Sequence, residues 1–364
     1  GATCGLGEEG HKWAFLFDEL ELAPENIIQP LVDSMRGGPE DILFKLSLSP
    51  YHGDVSICGS HSGAMQMQDY HFINLTTSTK QTGEKFAKEL CNNIFKKNGF
   101  HNEIETYFSP QKKTKLEITL KSLESKDYSF KDYLIKQRIS LSEYGSYSED
   151  NKKPILRKIQ NIALLRDFHF KSTDKKVGRR TCSEYYSGFY NLCKQVEYNP
   201  RMLIGLMNLL LEKLKTNDNI SVSDQIFCLK KSYKSFSSLL ATISIESSDT
   251  KFTSIFELVE SIAEIFMSEI KLGPFNPEPK GTIIFKKESN TGLFDSIGLA
   301  LNAGALIVDQ GSTEEFHDVS ELKSIKCRLS YIFAHEYSLL LNKGREIDFS
   351  DILSLSGNDQ MELL

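Results

Sequence analysis

Two adjacent acids, Asp18 and Glu19, follow the apolar residues Trp13-Ala14-Phe15-Leu16-Phe17. A continuous apolar run predicts a parallel strand buried on both faces, and acids at its C-terminal end predict a functional rim. At such a rim one carboxylate can hold Mg²⁺ through its water shell while the next polarises a water for attack on a terminal phosphate. If that rim faced a nucleotide, Asp18 would take the first task and Glu19 the second. The same residues also fit a core strand that ends in a solvated acidic turn, and a pattern this short leaves both readings open.

Other residues with chemical potential are more dispersed. Arg201, in Tyr198-Asn199-Pro200-Arg201, falls in the first turn of a predicted helix that Asn199 caps and Pro200 opens. A cation there works against the macrodipole, which favours a ligand-facing role over a stabilising one; the alternative is an ordinary surface arginine. Cys58 and His61, with His52 and His71 nearby, match no standard zinc spacing. The seven cysteines are scattered and odd in number. That suits reduced thiols in a cytoplasmic protein better than a disulfide framework. The net charge of -6 excludes a uniformly basic nucleic-acid binder but leaves room for local patches. No apolar stretch reaches the length of a membrane span, and the N-terminus lacks the order of a secretory signal.

A chain of 364 residues calls for more than one hydrophobic core. Residues 1–12 are glycine-rich and read as a loop. Pro24 and Glu25 suit a helix start, Pro30 must kink that helix or mark its true beginning, and Arg36-Gly37-Gly38-Pro39 ends it. A second strand over 42–48 stops at Ser49-Pro50, giving a right-handed βαβ crossover. A third strand is expected over 70–75 and a helix over 82–97. Residues 101–153, rich in Lys, Ser, Glu and Tyr with weak periodicity, read as a partly mobile insertion. Helices follow over 154–168, 182–197 and 200–214, with a further one within 216–248 and an amphipathic one over 253–271. A strand, helix and strand over 282–286, 293–301 and 305–308 precede a short closing helix over 349–353. The expected domains are 1–100, 101–153, 154–248 and 249–364.

In this order, Phe15-Leu16-Phe17-Asp18-Glu19-Leu20-Glu21-Leu22-Ala23-Pro24, Leu43-Phe44-Lys45-Leu46-Ser47-Leu48-Ser49-Pro50-Tyr51 and Tyr198-Asn199-Pro200-Arg201 carry a family resemblance. Arg328-Leu329-Ser330-Tyr331 adds a weaker echo. The sequence resembles an AAA+ ATPase of the bacterial type grouped with origin-recognition and cell-division-control (ORC–CDC-like) proteins. The resemblance implies an α/β P-loop NTPase core, incomplete here, then an α-helical lid and a C-terminal α+β winged-helix-like domain. It implies ATP and Mg²⁺ as cofactors, Asp18 and Glu19 as the Walker B acids, and Asp18 as the metal-holding residue through water. Ser47 or Ser49 is implied as the sensor-1 group that aligns the water with Glu19, with Ser49 preferred at the strand's end. Arg201 resembles the sensor-2 arginine of the lid. Arg36 matches the place of an arginine finger donated to a neighbouring subunit, although a helix-terminal cation favoured by the dipole is the alternative.

The chain departs from the family pattern in containing no G-x-x-x-x-G-K-[ST]. Without that loop no backbone amides cradle the phosphates. The expectation is that this is the C-terminal part of a longer polypeptide, the alternative being a degenerate site. Three functions are weighed. The first is an ATP-driven switch that couples binding and hydrolysis to self-association and control of a protein partner, with anti-phage defence within the family's range. The second is a nucleic-acid-binding module over 253–341, supplied with cations by Lys280, Lys286, Lys326 and Arg328 within it and Arg345 just beyond, interspersed with acids. The third is a catalytically silent scaffold.

Overall fold

The computed structural model describes residues 12–20, 23, 25–37, 41–49, 51, 68–71, 73, 80–109, 115–148, 152–170, 182–246, 251–287, 291–309 and 323–358. In chain order the first elements are β1 (Trp13–Phe17), α1 (Glu25–Gly37), β2 (Ile42–Leu46), α2 (Lys80–Lys97), α3 (Leu116–Lys126), α4 (Tyr128–Lys136) and α5 (Lys152–His169). Next come α6 (Ser183–Tyr186), α7 (Phe189–Gln195), α8 (Pro200–Leu214), α9 (Val222–Leu240) and α10 (Ile255–Lys271). The chain closes with β3 (Lys280–Lys286), α11 (Thr291–Asn302), β4 (Leu306–Val308), β5 (Ser324–Leu329), α12 (Ala334–Tyr337), β6 (Arg345–Asp348) and α13 (Phe349–Asn358). The chain divides into two compact units. The first comprises Gly1–Thr76, Ser247–Thr250 and Phe285–Ile325, and the second Thr77–Glu246, Lys251–Ile284 and Lys326–Leu364.

In the first unit β1 and β2 pair in parallel, in register from Trp13 opposite Ile42 to Phe17 opposite Leu46. A parallel pair needs a crossover, which α1 supplies, running through Pro30 without interruption. Side chains of register partners share a face. Phe15, Phe17 and Phe44 form one aromatic cluster, with Phe44 stacked on Phe15 at 6.1 Å and on Phe17 at 6.5 Å between centroids. The buried α1 residues Ile28 and Val32 pack with Leu46, Leu48, Met35 and Tyr70. The other face differs from expectation: Leu16 is 72% exposed and Leu43 50%. The apolar run therefore forms the strand it predicts but is not buried on both faces, because among the described residues α1 covers a single side and β1 pairs with β2 alone. Half of the strand expected over 70–75 falls outside the described residues, with Tyr70 a single bridge residue.

The second unit is a helical assembly whose core includes Phe95, Leu120, Leu123, Phe130, Leu156, Leu203 and Met207, all fully buried. Where a partly mobile insertion was expected over 101–153, its described residues contribute Ile104, Leu120, Leu123, Phe130 and Leu134 to the buried core of this unit. The helices of that segment are short, and the buried positions on each, Leu120 and Leu123 on α3 and Phe130 and Leu134 on α4, are diluted by charged surface residues. Asp127 begins α4 by accepting the N–H groups of Ser129 and Phe130 at 2.9 and 3.2 Å. The Arg166 guanidinium also reaches Asp127, at 2.7 Å from Nε, and donates from Nη1 to the carbonyls of Ile270 and Gly273 at 2.7 and 2.9 Å. One buried arginine thus ties α4, α5 and the end of α10 together.

The helix expected over 182–197 is broken into α6 and α7 at Gly188, whose φ of 90° an L side chain resists. By contrast α8 matches its predicted span, and the α10 stripe of Ile255, Leu258, Val259, Ile262 and Phe266 is buried as expected. Further along the chain, β3 pairs with β6 in parallel, a geometry that a hairpin cannot make. Among the described residues no helix is long and apolar enough to cross a membrane.

Candidate functional site

The acids lie where the apolar strand ends. Asp18 and Glu19 are both exposed, and Asp18 Oδ1 accepts the Glu19 N–H at 3.0 Å. Glu19 adopts a φ of 55°, a left-handed conformation uncommon for a non-glycine residue. Such backbone strain is concentrated at sites where geometry serves function. The neighbouring strand reaches the same level: the Ser47 N–H donates to the Phe17 carbonyl at 2.8 Å. Ser47 therefore extends the parallel register by one residue and stands beside Asp18, exposed to solvent. Ser49 is less exposed and two residues farther on, and its hydroxyl donates to the Tyr51 carbonyl at 3.1 Å. Of the two serines, Ser47 is level with the acids.

Arg36 occupies the last turn of α1, and its side chain lies outside the described residues. Arg201 belongs to the second unit, exposed in the first turn of α8 as predicted, with the Asn199 side chain accepting the Met202 N–H at 3.2 Å. What precedes that turn was not legible in the motif. Glu197 and Tyr198 both adopt left-handed φ, 56° and 54°. Arg328 forks onto Glu197 through Nη1 and Nη2 at 2.7 and 2.8 Å, and the Tyr331 N–H donates to the same carboxylate at 2.7 Å. The guanidinium also lies over the Tyr331 ring at 3.9 Å from its centroid. Beside it Lys194 donates to the Leu341 carbonyl. Burial, aided by Lys80 and Arg328, holds its ammonium below the ordinary lysine value. Tyr198 packs its ring against Gly83 of α2. The Arg328-Leu329-Ser330-Tyr331 echo and the Tyr198-Asn199-Pro200-Arg201 motif are thus parts of one structure, joined by Glu197. Its position next to that motif was the available signal.

Metal chemistry at the acids has a defined limit. Among the described residues no group of three or more His, Cys, Asp and Glu side chains is placed to hold an ion. The zinc-like residues Cys58, His61 and His52 lie outside the described residues. An exposed Asp-Glu pair fits Mg²⁺, which commonly keeps its waters and uses one or two carboxylates together with substrate phosphates rather than a protein cage.

No curated protein and no solved structure shows significant similarity to the chain. A profile described as ORC-CDC6-like matches residues 3–349. That match spans nearly all of the sequence, the acid pair, its neighbouring serine and the arginine of α8 included, and the chain belongs to the ORC-CDC6-like family, an AAA+ ATPase type of module.

Proposed function

We propose that the protein is a nucleotide-dependent switch in which the rim of the β1–β2 sheet acts on Mg²⁺-ATP once the phosphates are held by a phosphate-binding loop, a motif that residues 1–364 do not contain. The observation that carries this reading is the placement of Ser47 level with Asp18 and Glu19 on the adjoining parallel strand. Asp18 would hold Mg²⁺ through water. The ion, when bound, neutralises charge on the phosphates. Glu19 polarises the attacking water, and the Ser47 hydroxyl orients it, a role that passes to Ser49 only if its bond to Tyr51 opens. Arg201 acts as the sensor on the helical lid, and Arg36 as the finger donated to a second subunit, where a guanidinium stabilises transition-state charge. Turnover in this reading controls self-association and a protein effector in the cytoplasm, with anti-phage defence or another regulatory process within the range of the family resemblance.

The nucleic-acid reading draws less support. Two of its cations are committed within the second unit, Lys326 to Glu346 and Arg328 to Glu197.

The test is hydrolysis of Mg²⁺-ATP by the full-length protein. Glu19→Gln should lower turnover by about 10²-fold or more while retaining nucleotide binding, as expected for loss of a general base. Unchanged hydrolysis in that variant removes Glu19 from the role, and absence of nucleotide binding by the wild type rejects the switch.

A further inference from the structure

The end of β2 is tethered to a helix encoded about 250 residues later in the chain, and both belong to the first unit. Tyr51, two residues beyond Ser49, has its N–H accepted by Asn302 Oδ1 at 2.9 Å, and its carbonyl accepts Asn302 Nδ2 at 2.6 Å. The carboxamide thereby satisfies both backbone groups of Tyr51, as a neighbouring strand would. The Tyr51 hydroxyl donates to Asp295. Its ring fills a notch over Gly298, where an added Cβ would lie 2.2 Å from the ring. Phe294 meets that ring edge-on at 6.5 Å between centroids. Asp295, Gly298 and Asn302 are spaced i, i+3 and i+7, so one face of α11 supplies all three contacts. The Tyr51 carbonyl also accepts the Ser49 hydroxyl at 3.1 Å.

An apolar plug would hold the two elements together, but it would not fix the path of the chain. This contact fixes Tyr51 at its amide, carbonyl, ring and hydroxyl, and Tyr51 lies only four residues after Ser47 in the chain and is bonded to Ser49 through its carbonyl.

We propose that Tyr51 is a positioning residue: clamped on α11, it holds Ser47 level with the acids, and α11 is the element through which occupancy of that rim is read. The proposal rests on the nucleotide reading above. Catalytic groups lose about 10²-fold in rate when displaced by about 1 Å. Loosening the clamp should therefore act on turnover rather than on nucleotide affinity.

The experiment uses the full-length protein with Mg²⁺ and a non-hydrolysable ATP analogue. Hydrogen exchange is followed in residues 291–302, and binding is measured in parallel with a fluorescent nucleotide. In the wild type the analogue should raise protection in 291–302. Asn302→Ala should bind the fluorescent nucleotide within about threefold of wild type yet lose that change, with kcat lowered about tenfold or more and KM little altered. Tyr51→Phe, which keeps the ring and removes the bond to Asp295, should give a smaller effect in the same direction. It serves as the test if Asn302→Ala does not fold. Bound nucleotide with unchanged exchange in 291–302 overturns the proposal and leaves the switch standing, as does wild-type kcat in both variants. Failure of the wild type to bind nucleotide overturns both.

Discussion

The Arg328 guanidinium meets the Glu197 carboxylate as a parallel fork, Nη1 to Oε1 at 2.7 Å and Nη2 to Oε2 at 2.8 Å, with both side chains largely buried. Glu197 takes a third bond from the Tyr331 N–H and sits with Tyr198 in left-handed backbone just ahead of the Asn199 cap. Two consecutive residues in that conformation are held against a steric penalty. The fork is what fixes the approach of the chain to α8 and hence the position of Arg201.

Removing one partner of such a pair leaves the other charge buried and unpaired. Arg328→Ala should destabilise the protein by about 2–4 kcal/mol, read from the midpoint of urea unfolding. Arg328→Lys should recover little of it, because an ammonium cannot reproduce the fork or lie flat on Tyr331. A double-mutant cycle with Glu197→Gln measures the coupling directly, and additivity of the two changes would show that the fork contributes nothing.

Arg166 presents a more deeply buried case. Its side chain is 2% exposed against 5% for Asp127, and Nη1 donates to two carbonyls at the end of α10. Arg166→Ala should cost about 3–5 kcal/mol. Asp127→Asn should cost less, since an amide oxygen in place of Oδ1 can still accept the N–H groups that begin α4, while the amide nitrogen in place of Oδ2 loses the charge and the bond from Arg166 Nε. Equal losses in thermal or urea unfolding would show that the charge, not the cap, is the dominant contribution of Asp127.

Acid sensitivity follows from two histidines. Burial pushes the pKa of His335 down to about 4, with Lys230 adding in the same direction, and does the same to His169 beside Lys271 and Arg166. The Nε2 atoms of both are buried without a partner among the described residues. The folded state therefore holds them neutral, whereas the unfolded chain takes up protons near the ordinary value of about 6.5. Since the unfolded state binds more protons in this window, stability is full above about pH 6.5 and falls as pH drops toward 4. Urea midpoints at pH 7.5 and 5.0 should show the loss. His335→Phe, which retains a ring against Tyr186, should reduce the difference between the two midpoints, and an undiminished difference would remove His335 as a source.

How much of this was legible in the sequence depended on the range of the interactions. The acid pair, the β1–α1–β2 order, the Asn199-Pro200 helix start and the α10 stripe are local patterns with a fixed period or a cap, and each was readable from adjacent residues. The helices of 101–153 were not, because short elements with a single buried stripe look polar when averaged over a window. Glu197 and Arg328 stand 131 positions apart, and Tyr51 and Asn302 stand 251 apart. No periodicity reports such pairs. The one trace was the Asp295, Gly298 and Asn302 spacing on α11, which becomes meaningful only once Tyr51 is seen on that face.

The packing of Tyr198 allows a prediction in which two effects of opposite sign compete. Gly83 lies inside α2, where alanine would favour the helix by about 1 kcal/mol. A Cβ at that position would, however, stand 2.7 Å from Tyr198 Cδ2 and 2.9 Å from Cγ. Those atoms belong to the base of a rigid ring on a residue already held at positive φ, so the ring has little freedom to yield. Overpacking of this kind costs about 1–3 kcal/mol, enough to cancel or exceed the helix gain. Gly83→Ala should therefore be neutral to destabilising in urea unfolding, and hydrogen exchange should rise over residues 198–203 as Tyr198 shifts the start of α8. Tyr198→Ala in the same background removes the obstacle. In that pair the Gly83→Ala change should become stabilising by about 1 kcal/mol. If it stays destabilising without the ring, the contact is not what keeps glycine at this position.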